Sequence, residues 1–87
     1  MSETHENRLK RLQMRSMRRG IKEMDIILSR YAEAHLATMD APALDLYEAL
    51  LNENDQDLYQ WVSGQAEAPE ALSDLISKIS DHVQGAV

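Results

Sequence analysis

The chain has 87 residues, no cysteine and a formal net charge of −6. A chain of this size folds as one domain and buries only roughly 60–65% of its unfolded surface, which leaves little room for an enclosed substrate cavity. The lack of cysteine excludes disulfides, thiolate metal sites and cysteine nucleophiles, and it fits a reducing compartment.

Charge is split along the chain. Residues 1–30 carry eight basic residues against four acids, a net +4, while residues 31–87 carry only Lys78 against eleven acids, a net −10. Such a chain is a poor general nucleic-acid binder, although its first third can grip an acidic surface locally. The opening residues Met1-Ser2-Glu3-Thr4-His5-Glu6 hold two acids and no apolar stretch, unlike a secretory signal. The Arg-rich segment Arg8–Arg19 invites a mitochondrial presequence reading. Early acids and direct continuation into a charged junction argue against it. No apolar run approaches the roughly 20 residues of a membrane span. The expectation is a soluble, cytoplasmic monomer without membrane insertion.

Five short helices follow in order, with residues 1–5 read as a disordered tail. The first, about Glu6–Arg18, places Leu9, Leu12, Ser16 and Met17 on one stripe and arginines on the other. Gly20 is expected as its C′ residue, after a last turn rich in arginine. The second, about Ile21–Thr38, carries Met24, Ile27, Leu28 and Tyr31 on its apolar stripe, with Glu23 and Asp25 near its N-terminus. Asp40 is the expected cap of a third helix, with Pro42 in its first turn and Leu44, Tyr47, Leu50 and Leu51 facing inward. After the turn Asn52-Glu53-Asn54, Asp55 is expected to cap a short fourth helix bearing Leu58, Trp61 and Val62, ended by Gly64. Pro69 opens the fifth, with Leu72, Leu75, Ile76, Ile79 and Val83 in line and residues 84–87 as a frayed end. No stretch alternates with the period of a strand. The fold class is all-α, a compact single-domain bundle.

Reactive chemistry is sparse. His5, His35 and His82 are far apart in sequence, and none has a second ligand at helical spacing, so they read as surface or core-edge residues. The serines lack a nucleophile elbow or paired base, and a single glycine makes no phosphate loop. Tyr59 and Trp61 read as core anchors. Met14, Met17 and Met24 surround the basic junction, where core and interface are equally open readings. The junction itself, Arg18-Arg19-Gly20-Ile21-Lys22-Glu23-Met24-Asp25, gathers three positive charges, two negative charges and a glycine. Guanidinium forks suit carboxylates and carbonyls, and glycine lets a partner's backbone come close. A docking surface and a set of weak surface ion pairs both fit that composition.

Arg19-Gly20-x-x-Glu23 resembles the RGxxE signature of the SdhE-type flavinylation factors, the succinate dehydrogenase assembly family of bacteria and mitochondria. The likeness extends over Arg18–Asp25 to an RRGxxExD block. It also takes in Tyr47-Glu48-x-Leu50-Leu51, similar to (F/Y)xxLL, and Asp55-x-Asp57-Leu58-Tyr59-x-Trp61, similar to DxDLxxW. Gln56 departs from the pattern, since many members carry proline there. The match covers about Arg11 to Gly64. The resemblance implies a helical protein that is not an enzyme. It implies binding to the flavoprotein subunit of succinate dehydrogenase, and in some bacteria fumarate reductase, to promote autocatalytic covalent attachment of FAD. No catalytic residue, metal or stably bound cofactor is implied, FAD being the partner's. Arg19, Gly20 and Glu23 carry over as the docking motif, with Arg18 and Asp25 as supporting neighbours. The competing class is a small helical regulator, antitoxin-like or DNA-binding, supported by the basic segment Arg8–Arg19 and opposed by the acidic remainder.

Overall fold

The computed structural model describes residues 3–85, with backbone alone for Gln84 and Gly85. Helix α1, His5–Arg15, starts where the Thr4 hydroxyl accepts the Asn7 amide at 3.1 Å. Glu3 pairs with Arg11 at 2.8 Å, so the expected tail is already engaged from residue 3. Met1, Ser2, Ala86 and Val87 lie outside the described residues.

Helix α1 stops three residues short of the expected Arg18. Ser16 is its buried C-cap residue. Its hydroxyl donates to the Leu12 carbonyl at 2.8 Å and lies 2.6 Å from the Tyr47 hydroxyl, both in the core. Helix α2, Lys22–His35, runs into a short 3₁₀ turn at Leu36–Thr38, which divides the single helix expected up to Thr38. Helix α3, Ala41–Leu51, is capped by Asp40, whose carboxylate accepts the Ala43 amide at 3.0 Å. Helix α4, Asp55–Val62, is capped by Asn54 rather than the expected Asp55, the Asn54 side chain taking the Gln56 amide at 2.8 Å. Gly64, at φ +83°, makes the left-handed exit from α4 as its sequence position predicts. Helix α5, Glu70–Gly85, closes the bundle, and no strand occurs among the described residues.

Met24, Leu28 and Tyr31 place α2 at the centre, in contact with α1, α4 and α5. Leu12, Leu44, Tyr47, Leu50, Leu58 and Ile79 are all essentially inaccessible around it. The five-helix, all-α expectation holds. Tyr59 and Trp61, read as core anchors, are partly buried and pack against the core. Leu58 and Val62, four apart, take the inner face of the short α4, and Trp61 packs from its flank. Of the methionines, Met24 is core, while Met14 (61% exposed) and Met17 (42%) face solvent.

Burial pushes the Tyr47 phenol up to about 12, against the lesser opposing effects of its Ser16 hydrogen bond and of Arg19. An unfolded chain releases that proton near pH 10. Stability is therefore intact below pH 10 and falls as pH climbs from about 10 to 12, where only the folded state keeps the proton. We expect Tyr47→Phe to cost about 1 kcal/mol at neutral pH and to flatten this alkaline slope. Urea midpoints followed by circular dichroism across that range check it. Equal slopes in both proteins would remove Tyr47 as the cause.

Candidate functional site

The junction between α1 and α2 is built from both ends of the chain's centre. The turn's left-handed residue is Arg18, at φ 55°, while Gly20 is not left-handed, which corrects its expected role as the C′ glycine. The Arg18 amide donates to the Asp25 carboxylate at 2.9 Å, tying the turn to the first turns of α2.

Arg19 points inward, and its side chain is 11% exposed. Its Nε donates to Asp55 Oδ1 at 2.7 Å. Its other nitrogens donate to the carbonyls of Arg15 (3.0 Å), Leu51 (3.2 Å) and Glu53 (3.4 Å). One guanidinium thus satisfies carbonyls at the C-terminal ends of α1 and α3, where its charge also suits the helix dipoles. The Gly20 amide donates to the other oxygen of the same Asp55 carboxylate. A Cβ on Gly20 would stand 3.0 Å from that oxygen, so glycine fits here through close approach rather than through φ.

The five sequence-predicted site residues therefore divide. Arg18, Gly20, Lys22 and Glu23 are exposed, whereas Arg19 braces the turn from within and Asp25 ties it to α2 at the surface. Asp55 also belongs to this site, although its place after the turn Asn52-Glu53-Asn54 reads in sequence as a helix cap. Its recurrence in the DxDLxxW segment was the available signal. Beside Glu23 runs a groove of about 380 Å³ lined by Ile26, Ile27, Tyr59, Val62 and Val83, and Ile26 is 44% exposed.

The remaining arginines of α1 are also occupied. Arg8 pairs with Asp45 (2.6 Å) and Glu48 (3.2 Å), Arg11 with Glu48 (2.9 Å), and Arg15 donates to the Asn52 side chain at 2.7 Å. The Arg11 hydrogen bond, helped by Arg8, holds the Glu48 carboxyl below its usual range. This ladder knits α1 to α3 and takes the basic stripe away from any phosphate backbone, which removes the support for a DNA-binding regulator.

Two histidines distant in sequence do meet. The rings of His35 and His82 pack edge to face with centroids 5.2 Å apart, against Tyr31. Among the described residues no group of three or more His, Asp or Glu is arranged to hold a metal ion, and no helix is long and apolar enough to cross a membrane.

The profile of the family described as flavinator of succinate dehydrogenase matches residues 10–83. The chain belongs to that family. It is 44% identical over 61 residues to the mitochondrial succinate dehydrogenase assembly factor 2 of Meyerozyma guilliermondii, covering 70% of this chain and 45% of the relative. The Candida glabrata protein of the same name is 38% identical over 86 residues, covering 93% and 56%, and that of Schizosaccharomyces pombe 41% over 68 residues, covering 78% and 49%. The chain thus spans about half the length of the curated relatives it matches. Those relatives are named as mitochondrial, which overturns the expectation of a cytoplasmic protein. An acidic opening segment was too weak a ground for that inference.

Proposed function

We propose that the domain is an assembly factor of succinate dehydrogenase that docks on the enzyme's flavoprotein subunit and favours covalent attachment of FAD. The observation that carries this reading is the outward-facing part of the junction. Arg18, Gly20, Lys22 and Glu23 lie exposed on a turn that Arg19, Asp25 and Asp55 fix from behind. A surface of this kind binds, and it offers no nucleophile. The attachment is autocatalytic within the flavoprotein, with FAD held by the partner and the factor acting as a monomer. Its contribution is to bind one conformation of the subunit better than the others, and a differential affinity of a few kcal/mol shifts that population decisively.

Docking and chemistry separate kinetically. Glu23→Ala should slow flavinylation at limiting factor, and raising the factor concentration should restore most of the rate, because mass action compensates for a weaker contact. The measurement is covalent flavin fluorescence of the denatured subunit, followed over time at increasing factor. Should Glu23 instead transfer a proton during attachment, the mutant rate would level off far below wild type at saturation.

A further inference from the structure

Asp55 stands at the first position of α4, yet it does not cap that helix, since Asn54 does. Its carboxylate is turned away, with its side chain 16% exposed, and is divided between two donors that are adjacent in sequence. One oxygen takes the Arg19 guanidinium and the other takes the Gly20 amide. We infer that Asp55 is a positioning residue for partner docking, holding the Arg19-Gly20 turn in the one shape that presents Glu23 and the Gly20 backbone together. The inference rests on the reading of the junction as the docking surface.

The chemistry requires a carboxylate. An ionised Asp accepts on both oxygens, whereas Asn of the same size accepts on one and donates from the other side. Whichever way an amide at position 55 turns, its NH₂ meets either the Arg19 Nε–H or the Gly20 N–H. Released from that hold, the turn between Arg18 and Ile21 populates several shapes. A partner selecting only one of them binds more weakly by the fraction remaining competent. The effect reaches the partner without Asp55 touching it, at a point 35 residues along the chain from Gly20.

The test compares Asp55→Asn with Asp57→Asn and Glu23→Ala. Asp57 is exposed in the same first turn of α4 and shares its helix-dipole environment without the clamp. Binding to the flavin-free flavoprotein subunit is measured by calorimetry, well below each variant's melting temperature, beside the Gly20 amide resonance in ¹⁵N-resolved spectra. Asp55→Asn should lower affinity about tenfold or more and shift the Gly20 amide upfield as its carboxylate acceptor is lost. The helical circular dichroism should stay unchanged, and excess factor should restore the flavinylation rate. Asp57→Asn should bind as wild type.

An Asp55→Asn protein with wild-type affinity, while Glu23→Ala binds weakly, overturns this inference and leaves the docking reading standing. Wild-type affinity in both overturns the docking reading and the inference with it. An unmoved Gly20 amide in Asp55→Asn overturns the clamp. A variant too unfolded to bind makes Asp55 a residue of stability alone, which also overturns it.

Discussion

Gly20→Arg is expected to yield a helical domain that still melts cooperatively but no longer holds the flavoprotein subunit. Two physical effects coincide at this position. The new Cβ would sit 3.0 Å from Asp55 Oδ2, a tight contact with the end of a side chain that can shift by a few tenths of an ångström. The fold tolerates that. The added guanidinium is the larger disturbance, because it competes with Arg19 for the Asp55 carboxylate and fills the exposed space over the turn. A partner's backbone can no longer approach. Affinity should fall by at least about 100-fold, roughly 3 kcal/mol, the loss typical of a central interface position. Calorimetric titration beside a thermal melt decides the matter. Undiminished affinity, or collapse of the whole domain, would count against Gly20 as a docking residue.

Arg19→Ala should behave differently, with loss of stability coming first. Removing the side chain strands the Asp55 carboxylate and leaves the Arg15, Leu51 and Glu53 carbonyls short of a donor. Breaking a largely buried pair from one side costs about 2–4 kcal/mol. For a domain this small, that lowers the melting temperature by roughly 10–25 °C. Arg19→Lys should recover little, since an ammonium on a flexible stem cannot reproduce a planar fork spread over four acceptors. The check is a set of melts in which Glu23→Ala serves as reference. An Arg19→Ala protein as stable as Glu23→Ala would show that Arg19 is a surface group after all.

The contrast shows what the sequence made legible. The stripes of α2, α3 and α5 repeat at helical spacing, and Leu44, Tyr47, Leu50, Leu75, Ile76 and Ile79 are buried accordingly. The caps at Asp40 and Gly64 follow from side-chain geometry and backbone handedness within a few residues, so they could be read locally. The end of α1 could not. Arg15, Met17, Arg18 and Arg19 are all good helix formers, yet the chain leaves the helix after Ser16 and turns left-handed at Arg18, where the inward Arg19 must reach Asp55. The inward turn of Arg19 has the same character, because its acceptor Asp55 is 36 residues distant. The exposed half of the site, Arg18, Gly20 and Glu23, was visible as a motif. That Arg19 of the same motif turns inward to Asp55 depended on tertiary pairing that no local pattern announces.

The ladder between α1 and α3 bears on how the domain meets its partner before any contact forms. With Arg8, Arg11, Arg15 and Arg19 committed to internal acceptors, the basic residues without an ion partner among the described residues are Lys10, Arg18, Lys22, Arg30 and Lys78. Two of them flank Gly20, on a molecule whose remaining surface is predominantly acidic. With Glu23 and Asp25 beside them the junction is close to neutral, so an approaching acidic patch is repelled less there than over the rest of the domain. Ionic strength then acts on the rate of encounter more than on the lifetime of the complex. On the proposed docking reading, the internal pairing of α1 thereby biases the direction from which an acidic partner approaches.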